Sequence, residues 1–150
     1  MWQPESKRMS KPKTLLFATL AICLPATSAF SSDSRVLVEL PKMMQEHMLS
    51  NMRDHLAAIN EILIHLSNGE LDKASETAEF RLGLSSLESH GASHMAKFMS
   101  QEMRQIGTEM HRSATQFALV AEEGEALEAY SALSNITSAC VACHASYRVK

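Results

Sequence analysis

Apolar side chains recur every three or four residues through most of this chain, a period that helices satisfy and strands do not. Met44, Met48, Met52, Ile59, Ile62 and Leu66, with His55 among them, mark one face of a long helix over roughly 41–66. Pro41 suits its first turn and Asn68-Gly69 stops it. Leu71, Ala74, Ala78 and Leu82 predict a shorter helix over about 70–84, followed by a loop over 85–93. Met95, Met99, Met103, Ile106, Met110, Ala114, Phe117 and Val120 predict a third helix that ends near 122, before Gly124. A fourth, over about 125–148, carries Leu127, Tyr130, Leu133, Ile136, Cys140, Cys143 and Tyr147 on one face. No strand pattern competes, and Gly and Pro are scarce. Four amphipathic helices with short connections predict an all-α fold, an antiparallel up-down-up-down four-helix bundle over 41–150.

The N-terminus reads differently. Lys7, Arg8, Lys11 and Lys13 precede the apolar run "TLLFATLAICLP", and small residues in "ATSA" follow. That order is a secretory signal, and the apolar run is too short for a membrane span. Residues 1–29 are therefore expected to be cleaved, leaving a flexible leader over 30–40 and the helical domain beyond it. Ile22 before Cys23 is a poor fit to a lipoprotein site, so Cys23 belongs to the discarded segment. Cleavage removes four of the 14 basic residues and one of the 17 acidic ones, leaving a net charge of −6. Nothing in that balance suggests a nucleic-acid partner. It also leaves two cysteines, Cys140 and Cys143.

Those two stand in "CVACH", with His144 next. On a helix, positions 140, 143 and 144 share a face, so two thiols and an imidazole converge on one object. C-x-x-C-H is the attachment pattern of c-type haem: each thiol adds to one vinyl group, and the histidine binds the iron. A redox pair of the thioredoxin kind needs a βαβ setting that is absent here. Zinc needs a fourth ligand from another histidine, and a plain disulfide leaves His144 without a role.

The full ending, Cys140, Cys143, His144, Tyr147 and Arg148 on the last predicted helix of an exported chain, resembles class II cytochromes c, the cytochrome c-prime family and its low-spin relatives. The resemblance spans about 42–150 and implies a four-helix bundle with one covalent haem c and His144 as the proximal iron ligand. Tyr147 and Arg148 would lie at the haem edge. In that family the first helix covers the other side of the ring. Met52 is the expected distal ligand: it sits about three turns into the helix, and "NM" is similar to the b-type bundle cytochromes. Met48, one turn earlier, is the alternative. Cytochrome c-prime commonly carries arginine one turn before its distal residue, whereas position 48 is methionine here and Arg53 follows the candidate. The resemblance thus implies six-coordinate iron and periplasmic electron transfer. Five-coordinate binding of small gases such as nitric oxide is the alternative. Many relatives of this class dimerise through their first two helices, so a homodimer stays open; the redox partner is not legible.

A separate reading comes from His90, His94, Met95, Met99, Met103, Met110 and His111, a Met/His-rich segment whose soft ligands suit Cu(I). An enzyme is not expected, since no nucleophile elbow, phosphate loop or H-E-x-x-H occurs. Export predicts a mature chain beginning near Phe30. The intact mass of protein taken from the native cell envelope checks this, and a chain still carrying residues 1–29 contradicts it.

Overall fold

Good helix formers and apolar faces of three-to-four spacing produce helices where they were expected, with revealing differences at the ends. The computed structural model describes residues 32–150; the signal segment expected over 1–29 lies outside them. Asp33–Lys150 forms one compact unit. Among the described residues it contains five α-helices and one pair of short strands. Helix α1 spans Lys42–Ser67 and α2 spans Leu71–Arg81. A short α3 spans Ala92–Met95, α4 spans Gln101–Glu122 and α5 spans Ala126–Ser146. At 26 residues, α1 is about 39 Å long. The chain is thus mostly helical.

The expected third helix is interrupted. After α3 and a 3₁₀ turn at Ala96–Phe98, Met99 is extended and Ser100 caps a new helix. Ser100 Oγ accepts the N–H of Met103 at 3.1 Å, satisfying a donor that has no partner within the helix. Arg104 Nη1 donates to the carbonyls of Ala96 (3.2 Å) and Met99 (2.8 Å), so the break leaves few bare polar groups.

The other difference is at the termini of the unit. Strand β1, Val36–Val38, pairs in parallel with β2, Tyr147–Val149, with Val36 opposite Tyr147 and Val38 opposite Val149. The loose leader and the helix running to 148 both give way here. Three-residue strands are too short to show a period, and each needs a partner from the far end of the chain.

Helix α1 packs on α2, α2 on α4, and α4 on α5. Between them lies a core lined by small residues: Ala58, Ala74, Ala78, Ala114, Ala121 and Ala129 are all fully buried. Small side chains let helices approach closely. Phe117, Ile62, Leu82 and Ile136 fill the remaining volume. In α5 the buried face is Ala129, Leu133, Ile136 and Ala139. Leu127 and Tyr130, expected inside, are exposed.

Among the described residues no helix is long and apolar enough to cross a membrane. Phe117 is the largest fully buried side chain, so Phe117→Ala should cost about 3–5 kcal/mol, chiefly through the cavity it leaves. Chemical denaturation checks this.

Candidate functional site

A second core cluster forms where three helix ends meet. Met48 from α1, Met95 from α3 and Met103 from α4 are buried with Val38. Met44, Met99, Cys143 and Tyr147 pack against them. Thioethers dominate this cluster, and methionine fills irregular space without the stiffness of branched chains.

The last turn of α5 delivers the C-x-x-C-H residues. Cys140 packs on the alanine-lined core and Cys143 on the methionine cluster, so the two thiols bridge the two cores. Neither is in a disulfide. Burial raises both thiols above the ordinary range; for Cys143 the neighbouring Cys140 adds to the effect. His144, one residue on, is exposed, and its ring makes no hydrogen bond among the described residues. Its carbonyl accepts from Arg35 Nη1 at 3.3 Å. Tyr147 lies in the methionine cluster, its hydroxyl 3.2 Å from Ser100 Oγ. Arg148 turns elsewhere: its Nε is 3.4 Å from Asp33 Oδ2. Asp33 is held at about 2, first by its hydrogen bonds from Arg35 and then, more weakly, by the charge of Arg148.

The methionines of α1 part company. Met48 is 6% exposed and lies in the cluster with Cys143, whereas Met52 is 37% exposed. A full helical turn separates them, but the buried face of α1 runs through Met48, Asn51, His55 and Ala58, leaving Met52 to one side. The period of the apolar residues included both, and only packing distinguishes them.

The Met/His-rich segment also divides. Met95, Met99 and Met103 join the cluster around Cys143, while Met110 joins the alanine-lined core. His94 is exposed and, with Met43, Met44, His47 and Glu88, lines a surface groove of about 350 Å³. His90 and His111 are buried beside His55, a grouping that sequence spacing did not reveal. Among the described residues, no three His, Cys, Asp or Glu side chains are arranged to hold one metal ion.

The donor set nonetheless suits haem by its chemistry. Two free thiols, Cys140 and Cys143, and the exposed imidazole of His144, which has no hydrogen-bond partner among the described residues, stand on the last turns of α5, and Cys143 packs against buried thioethers from other helices. No family profile, curated protein or solved structure matched this chain.

Proposed function

We propose that this chain is an exported class II cytochrome c that carries one covalent haem and transfers electrons in the periplasm. The observation that carries the reading is the meeting of Cys143, at the end of α5, with Met48 from α1 in one methionine-lined cluster. The fold proposed with it is an antiparallel four-helix bundle of α1, α2, α4 and α5. Serial packing of α1 on α2, α2 on α4 and α4 on α5 supports it. So does the shared position of the N-terminal parts of α1 and α4 with the C-terminal end of α5.

A haem held in this way supplies a one-electron iron couple, whose potential is raised when a thioether is bound opposite an imidazole. Cys140 and Cys143 would hold the ring through thioethers, and His144 would supply the proximal nitrogen. Met48 would supply the distal sulfur, because it is the buried methionine of α1 that shares a cluster with Cys143. Met52 is the second candidate. Tyr147 would line the site through its contacts with the methionine cluster, with Ser100 holding its hydroxyl. The apolar packing around Cys143 would favour the less charged, reduced state. An abundance of thioethers favours six-coordinate iron over an open gas-binding site. A Met/His copper site is the competing reading, favoured by the groove lined with Met43, Met44, His47 and His94.

Expression in a host competent for c-type assembly should give stoichiometric haem that survives denaturation. Cys140→Ala with Cys143→Ala should abolish it. Copper in place of haem in the wild-type protein would overturn the proposal. Met48→Ala should cost about 2–5 kcal/mol and convert low-spin iron to high-spin. Met52→Ala, at an exposed site, should stay within roughly 1 kcal/mol and keep the spin state. Optical spectra and denaturation of the two variants check both; conversion by Met52→Ala alone would reverse the assignment, and a wild-type protein already high-spin would favour gas binding.

A further inference from the structure

Three buried histidines have no role in the site described above. His55 comes from α1, His90 from the turn before α3, and His111 from α4; none is more than 9% exposed. Their ring centroids stand 4.8 Å (55–90), 5.6 Å (90–111) and 6.0 Å (55–111) apart. His55 Nε2 is 3.4 Å from His90 Nδ1, and Ser86 Oγ is 3.3 Å from that same nitrogen. His111 Nδ1 lies 2.7 Å from the carbonyl of Leu82. A carbonyl only accepts, so this nitrogen carries the proton. The carbonyl of His90 accepts from Asn51 Nδ2 at 2.9 Å and from His47 Nε2 at 3.0 Å. Gly91 follows at φ +62°, a left-handed conformation that favours glycine, and a Cβ there would also crowd His47 Nε2 at 3.0 Å.

These contacts fasten the connection between α2 and α4 at its start, Leu82, and its middle, Ser86 and His90. Its end, Met95 and Met99, lies in the methionine cluster with Cys143. On α1, His55 falls between Met48 of the methionine cluster and Ala58 of the alanine-lined core, whereas on α4 His111 falls between Met110 and Ala114, both of the alanine-lined core.

No carboxylate is hydrogen-bonded to any of the three rings among the described residues. The charged or titratable side chains facing them are Asp54, Arg81 and His47. Asp54 is taken up by Arg81, which also pairs with Glu61. A proton on the triad would lack a direct counter-ion, and a second would stand beside the first. We propose that His55, His90 and His111 form a proton-operated latch: neutral, they hold residues 82–99 closed, and acidification releases that segment and uncovers the methionine cluster at Cys143. The latch does not rest on the haem proposal; only its consequence for the site does.

Burial lowers all three imidazoles, and His55, pressed further by His90 and His111, falls to about 4. A group whose closed-state pKa lies below its open-state value, about 6.5 for His55, binds its proton preferentially in the open form. The closed segment therefore loses stability as pH falls from about 6.5 towards about 4. Asp54 is held below the carboxylate range by its hydrogen bond from Arg81, so the upper part of that window reports on imidazoles.

The test is amide hydrogen exchange of the mature protein between about pH 7 and 5, corrected for intrinsic exchange, with peptides from 82–99 compared against α5. The expected result is an opening constant for 82–99 that rises by about tenfold per pH unit for each proton taken up, with α5 still protected. His55→Gln should reduce that slope, and His94→Gln, at an exposed histidine, should not. An unchanged 82–99, a loss of protection shared with α5, or a slope untouched by His55→Gln overturns the latch. If His55→Gln does not fold, imidazole NMR of the wild type decides: rings protonated while 82–99 stays closed overturn it, and rings neutral until it opens support it. Haem content is measured on the same samples, so failure of the cytochrome proposal is visible separately from failure of the latch.

Discussion

Closure of the two ends of the helical unit on each other is the contact on which the site depends. Met48 near the start of α1 and Cys143 near the end of α5 share a cluster with Met95 and Met103. The parallel pairing of Val36–Val38 with Tyr147–Val149 ties the same ends through backbone hydrogen bonds. Neither contact is local: each joins segments separated by about the whole length of the helical unit. The C-x-x-C-H residues thereby gain a partner element on the far side of the core.

The two cores have different mechanical character. Fully buried alanines from α1, α2, α4 and α5 let the helices approach closely, and interiors packed that way resist deformation. The other core is built from unbranched thioethers that adapt to what they touch. Rigidity at one end and adaptability at the other are what the proposed haem would require of its surroundings. Buried beside one another are also His55, His90 and His111, polar groups that stay buried while neutral and hydrogen-bonded.

Much of the helical layout was legible because helical period is a local property. α1, α2 and α5 lie close to the expected ranges, and Asn68-Gly69 ends α1 as read, with Gly69 at φ +72°. The break at Met99–Ser100 escaped notice because the apolar spacing runs on across it. Ser100, a capping residue followed by Glu102, was the available signal. In α5, Leu127 and Tyr130 fit a helical period yet are exposed, since the buried face of that helix runs through Ala129, Leu133, Ile136 and Ala139 instead.

The order of residues alone determined that the chain is helical, where most helices begin and end, and that two thiols and an imidazole stand on one helical turn. All of these follow from interactions over a few residues. Tertiary structure decided that Met48 rather than Met52 is buried in the cluster on which Cys143 packs, that Arg148 turns to Asp33, and that three histidines distant in sequence share one buried place. Those outcomes depend on which helix faces pack together and how deeply, and helical spacing by itself carries no information about the neighbour on the other side.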